Sequence, residues 1–236
     1  QAQEADLYVA LLMHLRRLLG NNAFISMTTM IDADKIQSVW QENWQIIAKH
    51  VDAISVMCFD FVSPLRPPPL TGFSSNLYHV SSAPPETYNR NRSCDDAIQD
   101  LIQLGVPRSK ILLGVPAYGV VFGGIPSNNH GLFQASIAAE TPELDNLGKG
   151  VVRYSKLITL PDFQDYFLEH AGAWRYSPLK QQFMTYDSPQ IVREKVDYVT
   201  QHQLAGMMMW RVGEDVSVEN PASLLKVICL FDNSLN

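Results

Sequence analysis

Two hydrophobic rhythms alternate along this chain, and that alternation limits the available folds more than any other feature. Leu7, Leu11, Leu12, Leu15, Leu18 and Leu19, interleaved with His14, Arg16 and Arg17, predict an amphipathic helix that stops near Gly20-Asn21-Asn22. Phe24–Met30 then reads as a short strand. Asp34–His50 reads as a second helix with Ile36, Trp40, Ile46 and Ile47 inward, and Asp52–Phe61 as the next strand. Ser93 caps a helix running to Leu104, with Asp95 and Asp96 in the first turn, where the helix dipole favours negative charge. Gly105 and Pro107 supply its stop. Ile111–Gly119 is a strand, Pro189–His202 a helix, Ala205–Val212 a strand and Pro221–Leu230 a last helix. Such alternation implies parallel strands joined by crossover helices, as a barrel or as an open doubly wound sheet. No G-x-G-x-x-G follows any strand, which weighs against nucleotide binding.

Two stretches interrupt the rhythm. The segment from Val62 to about Arg92 carries Pro64-Leu65-Arg66-Pro67-Pro68-Pro69. Proline fixes φ and lacks a donor, so this run suits neither a helix nor a central strand, and a loop of such length is usually functional or disordered. Residues 120–187, rich in Gly, Asn and aromatic residues, read as an inserted subdomain with helical stretches near Tyr154–Leu157 and Pro161–His170. The chain thus divides into 1–119, 120–187 and 188–236.

Composition narrows the function classes. A net charge of −6 and the absence of a basic stripe argue against a nucleic-acid partner. No apolar run approaches the roughly 20 residues of a membrane span. Gln1–Asp6 is polar and acidic, without the basic lead and apolar core of a signal peptide. Cys58, Cys94 and Cys229 have no metal-ligand spacing; Cys58 reads as a small buried hydrophobe, and a Cys94–Cys229 disulfide has no positive support. His130, His170 and His202 are scattered, so neither a metal nor another cofactor is expected.

Four segments in order carry a resemblance. They are Val56-Met57-Cys58-Phe59-Asp60-Phe61; Thr71-Gly72-Phe73-Ser74-Ser75-Asn76-Leu77-Tyr78; Gly105-Val106-Pro107 through Gly114-Val115-Pro116-Ala117-Tyr118-Gly119; and Phe183-Met184-Thr185-Tyr186-Asp187 with Lys195 and Gly206–Trp210. Together they resemble the second half of a chitinase-type catalytic domain of glycoside hydrolase family 18. The resemblance implies strands five to eight of a (β/α)8 TIM barrel, with an α+β insertion between strands seven and eight. It also implies that the N-terminal half is absent from this chain, in the same gene product or on another polypeptide. A D-x-x-D-x-D-x-E motif, which carries the family's acid, does not occur in the sequence.

The implied reaction is substrate-assisted retaining hydrolysis of β-1,4-linked N-acetylglucosamine, in chitin or chitooligosaccharides. The catalytic acid Glu would lie outside this chain, which alone would be inactive. By resemblance Asp60 orients the acetamide, Trp210 floors the central sugar, and Met57, Phe59, Tyr118 and Tyr186 bind substrate. Strict strand alternation would place Asp60 on the face opposite Met57 and Phe59, so the role requires the chain to turn over there. Two positions depart from the family. Phe59 stands where a Tyr donor is usual, and Val120 where an Arg is usual. Both remove polar groups and favour the alternative of a non-catalytic lectin for chitooligosaccharides. Tyr154 and Trp174 are expected in the subdomain core, and Glu214 and Asp215 in a solvated loop. Family habit alone implies a secreted location. A third reading is an unrelated parallel α/β protein, in which Asp60, Tyr118 and Trp210 would not converge.

Overall fold

The computed structural model describes residues 2–34, 36–37, 40–65, 69–136, 144–145 and 147–232. Parts of three expectations lie outside them: Lys35, Ser38 and Val39 of the second helix, Arg66-Pro67-Pro68 of the proline run, and 137–143 and 146 of the insertion. In chain order the elements are α1 (Ala2–Leu19), β1 (Ser26–Thr29), α2 (Trp44–His50), β2 (Ala53–Val56), α3 (Tyr88–Asn91), α4 (Cys94–Gln103), β3 (Ile111–Pro116), β4 (Tyr118–Gly123), β5 (Val151–Arg153), α5 (Tyr154–Leu157), β6 (Gln164–Leu168), β7 (Gly172–Ser177), β8 (Gln182–Tyr186), α6 (Pro189–Gln201), β9 (Gly206–Trp210) and α7 (Leu224–Asp232). They fall into two compact units.

The first unit comprises Gln1–Met57, Cys94–Gly114 and Tyr198–Met208, and holds a sheet of order β1-β2-β3-β9. β1 and β2 pair in parallel, from Ser26 opposite Ala53 to Thr29 opposite Val56, and β2 pairs in parallel with β3. Parallel neighbours need crossovers, which is why helix-patterned segments separate the strand runs. β2 is buried along its whole length, as its unbroken apolar sequence requires. α4 buries Cys94, Ala97, Ile98 and Leu101, one face of a 3.6-residue period. Gly105 follows at φ +88°, and a Cβ there would run into the Gln45 side chain. Asp52 ties α1 to the strand layer: its Oδ2 accepts from Arg16 Nη2 at 2.5 Å and from the Ile25 N–H at 2.8 Å.

Two expected helices change. The second is interrupted: residues 33–34 are helical and 36–37 π-helical, a turn follows at 41–43, and α2 begins at Trp44, whose buried indole N–H bonds the Ile36 carbonyl at 3.0 Å. Ile47 is buried, but Ile46 is exposed. On α1 the covered stripe is Ala5, Val9 and Leu12, while Leu7, Leu11, Leu18 and Leu19 face outward. Near Pro161–His170 the structure has a strand, β6, where a helix was expected. Its pairing with β7, Tyr166 opposite Trp174, overrides the local helical pattern.

The second unit comprises Cys58–Ser93, Val115–Asp197 and Met209–Asn236, around an antiparallel sheet of order β5-β4-β8-β7-β6. Register puts Val120, Phe122, Phe183, Thr185, Trp174, Tyr176 and Tyr166 on one face, with Tyr118 two residues before Val120 on the same side. Val62, Phe73, Val80 and Ala83 of the long loop pack into the core on that face. This loop is ordered by buried amides. The Asn89 side chain accepts from the Phe73 N–H at 2.9 Å and donates to the Phe73 carbonyl at 2.7 Å and to Asn76 Oδ1 at 2.6 Å. Gly72 is required there, since a Cβ would collide with the Asn89 carboxamide.

Candidate functional site

The expected strand Ile111–Gly119 divides at Ala117. β3 ends at Pro116, and Tyr118 opens β4 of the antiparallel sheet. Ala117 is the hinge point: its N–H donates to the Trp210 carbonyl at 2.7 Å, and its carbonyl accepts from the Tyr154 N–H at 2.9 Å. Trp210 is thereby set beside the residue preceding Tyr118. The Trp210 side chain is 53% exposed, an unusual state for the largest apolar side chain, and its peptide bond to Arg211 is cis.

Asp60 is not a strand residue. β2 stops at Val56, and Asp60 adopts φ +63°, a left-handed conformation that Asp tolerates better than most residues. Alternation therefore does not decide its direction; the chain turns over, as the resemblance requires. The exposed Asp60 carboxylate accepts a hydrogen bond from the Tyr118 hydroxyl, Oη to Oδ1 2.7 Å. Tyr118 is only 7% exposed. Burial pushes its phenol well above the ordinary range, reinforced by the charge and hydrogen bond of Asp60 and then by the charges of Glu214 and Asp187. The hydroxyl accordingly stays protonated and acts as a donor. Phe59 sets its ring edge-on to Tyr118, centroids 6.1 Å apart. Position 118 thus brings a donor to Asp60, and position 59 sets an aromatic edge against Tyr118.

Asp60, Phe59, Tyr118 and Trp210 all belong to the second unit. Met57 closes the first unit; it is half-buried, and its N–H bonds the Thr29 carbonyl at 2.8 Å. Tyr186 occupies the sheet face opposite Tyr118, since its neighbour Thr185 pairs with Val120. Its hydroxyl donates to Asp165 Oδ1 at 3.3 Å, and Arg175 Nε holds the same carboxylate at 2.9 Å. Burial, followed by the charge of Asp165, raises the Tyr186 pKa.

Other residues singled out in the sequence take structural places. Tyr154 is buried and bonds the Ala222 carbonyl at 2.9 Å; Trp174 stacks on Tyr166, centroids 5.3 Å apart. Val120 lies in the apolar core. The expectation of a solvated loop for Glu214 and Asp215 does not hold. Glu214 is buried and paired with Arg211 Nε at 2.9 Å. Asp215 caps α7, accepting from the N–H groups of Leu224 at 3.2 Å and Leu225 at 2.8 Å. Cys58 and Cys94 are buried and Cys229 is exposed, and none of the three is in a disulfide. Among the described residues no cluster of His, Cys, Asp and Glu is placed to hold a metal ion, and no helix is long and apolar enough to cross a membrane.

Three residues that carry the resemblance without an expected role, Lys195, Asp187 and Ser75, form a buried triad from α6, the end of β8 and the long loop. A lysine in a helix is normally a surface residue, but Lys195 is fully buried, which the sequence pattern does not show.

Comparison with known proteins places this geometry in context. Endochitinase 1 of Metarhizium robertsii is 30% identical over 180 residues, covering 76% of this chain and 39% of the relative. Chitinase B of Serratia marcescens is 25% identical, covering 91% of this chain and 52% of the relative. The chain therefore spans about half or less of the length of these relatives. Among solved structures, chitinase ChiA74 from Bacillus thuringiensis superposes with a TM-score of 0.84 at 21% identity, over 99% of this chain and 40% of that one. The chitinase RmChi1 from Rhizomucor miehei gives 0.81 at 21% identity, over 95% and 66%. The fold is of the TIM-barrel type. Residues 1–215 match the family model "Glycosyl hydrolases family 18", and the chain belongs to that family.

Proposed function

We propose that this chain forms strands five to eight of a family 18 barrel, with residues 120–187 as the α+β insertion and 188–236 completing the barrel. The substrate is chitin or chitooligosaccharide, cleaved by substrate-assisted retaining hydrolysis, with the catalytic acid Glu on an N-terminal half outside these residues. The Tyr118–Asp60 hydrogen bond beside exposed Trp210 is the observation that carries this reading. In the reaction the acetamide oxygen of the substrate attacks its own anomeric carbon while the acid protonates the leaving oxygen. Asp60, held by a protonated phenol, orients the acetamide and stabilises charge developing on its nitrogen. Trp210 offers a flat apolar face to a pyranose ring. Phe59 sets an aromatic edge beside Tyr118, and Tyr186 braces the insertion wall. The outward leucines of α1, and sheet edges at β1 and β9, fit a missing half that would cover them.

The lectin reading keeps specific support. Phe59 carries no hydroxyl, and Val120 is buried among apolar side chains where the family has an Arg. Hydrolysis of a fluorogenic chitobioside by residues 1–236 and by a product extended upstream separates the two. Turnover only by the extended product supports the enzyme, and chitooligosaccharide binding without turnover supports the lectin. Turnover by residues 1–236 alone overturns the placement of the acid, and neither binding nor turnover overturns both.

A further inference from the structure

We propose that Lys195 is a positioning residue for the Asp60–Tyr118 pair, acting through Asp187 and Ser75; that the pair serves a sugar rests on the reading above. Lys195 Nζ, fully buried, donates to Asp187 Oδ2 at 2.5 Å and to Ser75 Oγ at 2.6 Å, and Ser75 donates to Asp187 Oδ1 at 2.5 Å. A buried ion pair returns little net stability, because removing both charges from water offsets most of their attraction. What these bonds do set is the position of two chain segments.

Those segments close a ring on the site. Tyr118 donates to Asp60 at 2.7 Å. The next N–H, of Phe61, donates to the Ser74 carbonyl at 3.1 Å, and the Ser74 N–H donates to Thr185 Oγ1 at 3.2 Å. Thr185 pairs with Val120 in the sheet, two residues from Tyr118. The triad fastens the same two segments one step further along, at Ser75 beside Ser74 and at Asp187 beyond Tyr186. Asp60 is exposed and in a left-handed turn, so where its carboxylate meets the phenol depends on where the neighbouring segments hold its chain. Every member lies in the second unit.

Lys195→Met leaves a buried carboxylate unpaired and can unfold the chain. The decisive variant is therefore Lys195→Met/Asp187→Leu, which replaces the pair by apolar groups, with Ser75→Ala read alongside. The measurement is exchange of the Tyr118 hydroxyl proton with water, by NMR on ring-labelled tyrosine, with circular dichroism confirming the fold. At least tenfold faster exchange in the folded double variant is expected. Exchange within twofold of wild type in that variant, or in Ser75→Ala if the double variant does not fold, overturns the role. Intrinsic tryptophan fluorescence titrated with tetra-N-acetylchitotetraose is measured in parallel, with Trp210→Phe as the control. Tenfold weaker binding in the variant supports the link to substrate. A product extended upstream that does not bind refutes the sugar reading, while hydroxyl exchange still decides the positioning.

Discussion

Removing either partner of the Asp60–Tyr118 hydrogen bond should have unequal costs, and the inequality follows from burial. The Asp60 carboxylate is exposed, so in Tyr118→Phe it recovers water and the loss should be about 1 kcal/mol or less. The phenol is 7% exposed, so removing Asp60 strands a buried donor, at about 1–3 kcal/mol. Asp60 also sits at φ +63°, where a Cβ without a local hydrogen bond costs about 1 kcal/mol relative to glycine. Asp60→Ala should therefore destabilise by about 2–4 kcal/mol, or about 4–16 °C in melting temperature for a chain of this size. Asp60→Gly should lose less than Asp60→Ala, since glycine relieves the left-handed backbone, and Asp60→Asn, which keeps an acceptor and tolerates the conformation, should stay near wild type. Urea unfolding of the four variants and of Asp60→Gly/Tyr118→Phe closes the cycle. The double variant should be more stable than Asp60→Gly, because no orphan donor remains. If Asp60→Gly costs no more than Tyr118→Phe, the phenol does not depend on Asp60 and the reasoning fails.

Other outcomes can be read from single sites. Gly119→Ala should cost about 1–3 kcal/mol in urea unfolding, since its Cβ would collide with Leu157 Cδ1 and press on the Thr185 carbonyl at 3.1 Å. Asp52 is held below its ordinary pKa of 3.8 by the Ile25 N–H and the Arg16 guanidinium. Its folded pKa lies below its unfolded one, so its contribution is present above pH 3.8 and lost as pH falls through the folded value. Asp52→Asn should therefore lose less stability than wild type between pH 5 and pH 3 in thermal melts. A thiol reagent should modify Cys229 alone in the native chain and all three cysteines in urea; fast native reaction at Cys58 or Cys94 would contradict their burial.

The alternation of rhythms was sufficient to read the parallel layer. β1, β2, β3 and β9, and the helices α4, α6 and α7, arise where periodicity and stop signals place them, because short apolar runs and 3.6-residue stripes have few other ways to bury their surface. Ser93 before α4 and Gly105 after it were legible for the same local reason. The family was legible as ordered motifs.

Pairing and burial were not local, and they decided the remainder. Gln164–Leu168 is a strand only because β7 lies beside it, and the Trp44 indole bonds the Ile36 carbonyl eight residues back. Which hydroxyl meets Asp60 depended on where the chain leaves the parallel sheet at Ala117, a choice no window of sequence contains. Glu214 and Lys195 look like surface charges until their partners close over them. The sequence by itself therefore determined the parallel layer and the family. Tertiary structure alone decided which side chains meet, since a contact between residues 58 or 120 positions apart is set by the packing of whole elements rather than by any residue's own preference.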